Sequence, residues 1–423
     1  MYLVITRTFP PDVGGMQNLM WGLTRSISKH HMIKVFADYV EDHEKFDETV
    51  SFSIQRVGGN KFFRKFRKAY LINEFIKNNN NIKGIISDHW KSLELIKSKN
   101  KKICLIHGKE INHKKGSLIN KRVIKVLSNV DKIVANSKFT KNLACEKGLN
   151  PEKIVVINPG VDHLKEIDKK DIKKAEEILG NKKPRLITVS RFDKRKNHEK
   201  VIMALRNLKQ LYPSIIYTCI GLGDEEENIK KLVKELSLEN QVIFLKNISQ
   251  ELKNALVAKS DLFVMPSIIH NKSVEGFGIA YVEAAQHGVP SIGGKDGGAS
   301  DAILDKETGI ICDGNSLEEI YSSIDLILKN NSFKNYGKKA KDYAVNFTWE
   351  NIVKDWEQVE ADYPDVPRKE KLKYSTADED LMNALNKLDP NAFAPILENR
   401  KVDDETGISE EISEGISEGI YNK

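Results

Sequence analysis

What most constrains this chain is a rhythm of short apolar runs separated by helical lengths. The first half carries Tyr2–Thr6, Ile33–Ala37, Gly84–Ser87, Ile103–Ile106, Lys132–Ala135 and Ile154–Ile157. The second half restarts the pattern with Arg185–Ser190, Ile215–Ile220, Val242–Leu245, Leu262–Met265 and Pro290–Ile292. Such runs read as parallel strands buried on both faces. Two series predict an α/β chain of two Rossmann-like, doubly wound domains facing a cleft. The break falls at Asn158-Pro159-Gly160-Val161-Asp162, where a strand ends in turn residues. A lysine-rich polar stretch then runs to Pro184. Ligands of such sheets sit beyond the carboxyl ends of the strands, so informative residues should follow strands.

Composition removes other classes. With 423 residues the chain can bury sizeable cores without disulfide or metal staples. Its four cysteines, Cys104, Cys145, Cys219 and Cys312, form no C-x-x-C pair, which argues against a zinc ribbon and fits a reducing cytoplasm. No apolar run reaches the ~18–20 residues that span a bilayer. The opening Met-Tyr-Leu-Val-Ile-Thr is too short and wrongly flanked for a signal peptide.

The formal charge of +7 hides an asymmetry. Residues 1–165 hold 30 basic and 15 acidic side chains, residues 166–373 hold 33 of each, and residues 374–423 hold 4 and 12. In the basic third, Lys61-Phe62-Phe63-Arg64-Lys65-Phe66-Arg67-Lys68 interleaves cations with aromatics. Such a face suits an anionic membrane surface; it also suits an ordinary amphipathic helix with its phenylalanines in the core. No nucleic-acid motif accompanies the charge, so no nucleic-acid partner is expected. The acidic end repeats Ile408, Ile412, Ile416 and Ile420 every four residues. It reads as a disordered tail, or as a helix docking on a partner or on the basic domain.

Four features carry chemistry. Gly14-Gly15 follows the first strand and lets backbone N–H groups approach an anion at a helix N-terminus, though a tight turn alone would also use it. Ser190-Arg191 through Lys196-Asn197 follows the strand Arg185–Ser190 and offers two cations to a diphosphate, or merely a solvated charge run. Glu275-Gly276-Phe277-Gly278 precedes a helix containing Glu283, placing two carboxylates on different parts of one ligand. Glu283 would otherwise simply face solvent. His107 ends the strand Ile103–Ile106; a single histidine is commonly structural.

These elements, with Ala135-Asn136-Ser137, Gly297-Gly298 and Phe347-Thr348-Trp349-Glu350, resemble the GT-B retaining glycosyltransferases of family 4 (glycosyl transferases group 1), from Thr6 to about Glu360. The most specific part is Glu275 and Glu283, spaced as that family's E-x7-E. The resemblance implies a nucleotide-sugar donor and a glycan or lipid-linked acceptor, as in polysaccharide or glycolipid synthesis. Gly14 and Gly15 would lie under the donor diphosphate and sugar. Arg191 and Lys196 would hold the diphosphate. Glu275 would meet the sugar hydroxyls, with Phe277 and Gly278 offering N–H groups nearby. Glu283 would take the ribose, and His107 would sit at the reacting sugar. Two positions depart from the family's pattern: Lys246-Asn247 stands where glycine is common at the base, and Asp301 where glutamate is common.

The domains expected are residues 1–160 on the acceptor side, 161–346 for the nucleotide sugar, 347–362 as a helix crossing back, and 363–423 as the tail. No Asp-x-Asp ends a strand and no carboxylate is an obvious nucleophile. The expectation is therefore metal-independent, front-face retention without a cofactor. The expected location is cytoplasmic, peripheral at the inner face of the membrane. A sugar-nucleotide epimerase of the same fold and a catalytically silent binding module remain as alternatives. A nucleotide-dependent oxidoreductase is disfavoured, because no Gly-x-Gly-x-x-Gly follows the first strand.

Overall fold

The computed structural model describes residues 1–361, so the acidic end lies outside the described residues. Thirteen strands form two sheets, every pairing parallel. The first sheet holds β1 (Tyr2–Ile5), β2 (Ile33–Asp38), β3 (Ser53–Val57), β4 (Gly84–Ser87), β5 (Lys101–Ile106), β6 (Lys132–Ala135) and β7 (Ile154–Val156), in the order 3-2-1-4-5-6-7. The second holds β8 (Arg185–Val189), β9 (Ile216–Ile220), β10 (Val242–Leu245), β11 (Leu262–Met265), β12 (Ser291–Gly294) and β13 (Gly309–Cys312), in the order 10-9-8-11-12-13. Each order reverses once, between β1 and β4 and between β8 and β11. At a reversal the connecting helices leave to opposite faces and open a crevice.

All eleven expected strands form. The two not foreseen, β3 and β13, lie at sheet edges. β3 reads Ser-Ile-Gln-Arg-Val, with only Val57 buried, so it lacks the uninterrupted apolar run of a central strand. The polar stretch before Pro184 is not a plain linker: Lys169–Leu179 is a helix. Its Ala175 and Leu179 pack in the second domain's core while its charges face outward. That apolar stripe is too narrow to stand out among lysines.

Side chains of one strand alternate between two cores. Leu3 and Ile5 join one cluster and Tyr2 and Val4 the other; Leu186 and Ile187 divide likewise in the second sheet. The last helix, Trp349–Ala361, returns to the first domain. Its Trp349, Ile352, Trp356 and Val359 pack with Val4, Met20, Leu23 and Val35. Trp349 lies against Gly22 and Gly160, where an added Cβ would come within 2.1 and 2.5 Å of the indole. Thr348 donates its hydroxyl back to the Val345 carbonyl at 3.0 Å.

Trp349→Ala should lower the stability of the first domain by about 3–5 kcal/mol, through lost burial plus the cavity between Gly22 and Gly160. Urea unfolding followed by fluorescence measures it.

Candidate active site

The sequence-marked residues gather beyond the carboxyl ends of both sheets, at the two reversals. From the first sheet come the loop after β1 and His107 after β5, joined by Asp88 after β4, which the sequence had not marked. From the second come Arg191–Lys196 after β8 and Glu275–Gly278 after β11. The helix Gly15–Ser28 starts opposite the helix Ile279–Gln286: a Cβ on Gly15 would sit 4.0 Å from Ile279 Cδ1. Neither helix has a side-chain cap, and Gly278 reaches φ 89° at the second start. Two helix N-termini thus face one space, a setting that favours an anion.

Glu275 is the electrostatic centre of the donor side. Its Oε2 accepts from Lys196 Nζ at 2.5 Å and from Arg195 Nη1 at 2.8 Å. Burial pushes the Glu275 carboxyl up; the charges of Lys196 and Arg195, with their hydrogen bonds, outweigh it and hold the group below its ordinary value. A buried carboxylate shared by two cations leaves donor capacity over for a further anion. Arg191 stands apart, exposed at the end of β8. The pair converging on Glu275 is therefore Lys196 with Arg195, not Lys196 with Arg191. Arg195 was hidden because it reads as one more charge in Asp193-Lys194-Arg195-Lys196. Its Nε is buried without a partner.

The donor loop is braced on the acceptor domain. Gly276 lies so close to His107 that a Cβ would come within 2.2 Å of the His107 carbonyl oxygen. His107 Nε2 lies 3.1 Å from the Asp88 carbonyl. A carbonyl only accepts, so Nε2 is the donor in this contact. Asp301 reaches across the domains and accepts from the Lys138 N–H at 2.7 Å and from Asn158 Nδ2 at 3.3 Å. The shorter aspartate is thus seated at the start of the helix Lys138–Glu146.

Phe277 is buried against Phe347, with ring centroids 5.5 Å apart, leaving only its backbone for a ligand. Glu283, on the helix that follows the Glu275 loop, is partly exposed, and its Oε2 lies 3.4 Å from Lys253 Nζ on the helix Gln250–Ala258. At the departing Lys246-Asn247, Asn247 takes φ 52°, a left-handed conformation that asparagine tolerates where glycine is usual. Among the described residues no group of three or more His, Cys, Asp or Glu is placed to hold a metal ion. No described helix is long and apolar enough to cross a membrane.

Two parallel α/β domains closing on a cleft in this manner are the GT-B glycosyltransferase architecture. Anabaena HepE in complex with UDP and glucose has the same fold, with a TM-score of 0.71 at 18% identity over 86% of this chain and all of that one. WaaG, a glycosyltransferase involved in lipopolysaccharide biosynthesis, gives 0.64 at 15% identity over 85% of this chain and 99% of that one. Residues 13–165 match Glycosyltransferase Family 4 and residues 169–344 match Glycosyl transferases group 1. The chain belongs to this glycosyltransferase family. It is 24% identical over 368 residues to a GDP-mannose-dependent alpha-(1-6)-phosphatidylinositol monomannoside mannosyltransferase of Mycolicibacterium smegmatis, covering 82% of this chain and 94% of that protein. It is 31% identical over 188 residues to the N-acetyl-alpha-D-glucosaminyl L-malate synthase of Bacillus anthracis, covering 44% of this chain and 46% of that protein.

Acid should destabilise the fold in a set direction. Burial lowers His198 to about 3, helped by the charge of Lys196, and lowers His287 to about 4, helped by Lys253 and Lys341. Both bind a proton more readily when unfolded. Their neutral forms stabilise the fold fully above about pH 6.5, and that stability is lost as pH falls towards their folded values. In pH-dependent melting, His198→Asn should make the fall below pH 6.5 shallower than in the native protein.

Proposed function

We propose that the protein transfers a glycosyl unit from a nucleotide-diphosphate sugar to a glycan or lipid-linked acceptor, with retention at the anomeric carbon. The observation that carries this reading is the buried Glu275 carboxylate, held by Lys196 and Arg195 at the space between two uncapped helix N-termini. Glycosyl transfer leaves negative charge on the departing diphosphate. Cations and N–H groups fixed before reaction stabilise that charge without reorganising. Lys196, Arg195 and the exposed Arg191 supply the cations; Gly14-Gly15 and Gly278-Ile279 supply the N–H groups. Glu275 keeps the lysine in place and offers its remaining oxygen to sugar hydroxyls. Glu283, on the far side of the same helix start, takes the ribose.

The acceptor enters from the first domain, near His107. The sequence marks no carboxylate as an obvious nucleophile, which supports front-face attack with the departing phosphate taking the acceptor proton. The charge is met by protein groups, so transfer is expected to proceed in EDTA. The relative named for phosphatidylinositol monomannoside supports a lipid-linked acceptor and with it a peripheral place at a membrane. Phe62 and Phe63 are exposed on the helix Lys61–Lys77, not in its core, which favours contact with a bilayer.

A panel of uridine, guanosine and adenosine diphosphate sugars, read by diphosphate release with membrane extract as acceptor, tests the reading. Release of nucleoside diphosphate with a new α-linked product is expected. An isomerised sugar nucleotide, or no turnover, overturns it. Trapping a covalent glycosyl-enzyme would sink the front-face mechanism. Lys196→Ala should weaken nucleoside diphosphate binding roughly 10–100-fold, the worth of one charged hydrogen bond. Calorimetry measures it, and unchanged affinity removes Lys196 from the donor site.

A further inference from the structure

A second concave site lies on the acceptor domain. It is a groove of about 310 Å³ beyond the carboxyl ends of β1, β2 and β4, at the lower end of the size range of small-molecule sites. Six cations line it: Arg7, Lys61, Arg64, Lys65, Lys68 and Lys91. Among the described residues the one lining carboxylate is Asp38, paired with Lys68 and, at 3.4 Å, with Arg64. Beside the groove Glu94 pairs with Lys65 and Arg122. Positive charge therefore remains in excess.

Three observations point to an occupant. First, Lys61, Arg64 and Lys65 occupy the opening turns of the helix Lys61–Lys77, whose first turn has no acidic residue. Cations at that end oppose the helix dipole, a local cost that a bound anion would offset. Second, two polar atoms of lining residues, Thr8 Oγ1 and Arg64 Nε, are buried and unpartnered. Buried donors normally find an acceptor. Third, the groove is joined to the reaction centre through Asp88. The Asp88 carboxylate accepts from the Arg7 N–H at 2.7 Å and from Ser92 Oγ at 3.3 Å, both on groove residues. Its carbonyl oxygen lies 3.1 Å from His107 Nε2.

We propose that this groove binds a phosphate group carried by the acceptor, so that the acceptor hydroxyl is presented at His107. Forked arginines, lysines and a hydroxyl converging in one groove match a tetrahedral oxyanion with several acceptor oxygens better than a single carboxylate. The proposal rests on the glycosyl-transfer reading and specifies its acceptor as a phosphate ester. The helix bearing exposed Phe62 and Phe63 forms one wall, so the phosphate belongs either to a lipid headgroup or to a soluble ester.

The test uses the full-length protein saturated with a nucleoside diphosphate, which occupies the donor cations. Glycerol 3-phosphate is titrated in by calorimetry, with glycerol as the uncharged control. Expected are binding of glycerol 3-phosphate only, and a roughly ten-fold or greater loss of affinity in Arg64→Ala and in Arg7→Ala. Arg64→Ala also breaks the pair with Asp38; Arg7, exposed, is the substitution that spares the fold. A second arm adds phosphatidylcholine vesicles with and without phosphatidylinositol. Displacement of glycerol 3-phosphate by the phosphatidylinositol vesicles assigns a lipid headgroup; retention assigns a soluble ester. No binding of glycerol 3-phosphate, or binding that neither substitution weakens, overturns the proposal. Nucleoside diphosphate affinity is measured first and separately. Its absence overturns the transfer reading; its presence with glycerol 3-phosphate refused overturns only the acceptor phosphate site.

Discussion

A parallel sheet delivers every strand's carboxyl end to one edge, and the rest of this structure depends on that constraint. Each edge becomes a row of loops, and the row opens at the one place where strand order reverses. In the first domain that place lies between β1 and β4, and in the second between β8 and β11. Turned towards each other, the two reversals bring Gly15 against Ile279 and Gly276 against the His107 carbonyl. The site is therefore a consequence of packing two such sheets with their loop edges facing, and the loops need only supply the right side chains.

Facing edges must also be tied. The last helix leaves the second domain and buries Trp349 between Gly22 and Gly160 in the first. Asp301 adds a polar tie by accepting from Lys138 and Asn158. The apolar contact gives stability and the hydrogen bonds give register.

The two halves use charge differently. The donor domain is close to neutral, and its work falls to a few cations anchored by one buried carboxylate. Low dielectric around Glu275 makes those few effective. The acceptor domain spreads its excess positive charge, and the largest concentration lines a groove that Asp88 joins to His107. Anchored cations suit a leaving group whose position is fixed by the reaction. A field of cations suits a partner that must first be drawn to the surface.

Eleven of the thirteen strands were legible as apolar runs, because a central parallel strand is buried on both faces and must be apolar throughout. The edge strand β3 and the helix Lys169–Leu179 were not, since each buries only one side; β13 was missed as well, although nearly all of it is buried. Glu275, Lys196 and His107 could be picked out because each follows a strand, and strand ends define the cleft. Arg195 could not, because a charge run says nothing of which member turns inward. Nor could the groove on the acceptor domain: Arg7, Lys65 and Lys91 are far apart along the chain and meet only when β1, β2 and β4 align. The same holds for the helix Lys61–Lys77, whose pattern allowed phenylalanines inside or outside. Spacing alone settles the fold class, the central strands and the edge where chemistry happens, because burial acts on each segment separately. Which cations pair, and which aromatics stay exposed, depends on neighbours contributed by distant segments, and only the tertiary structure decides that.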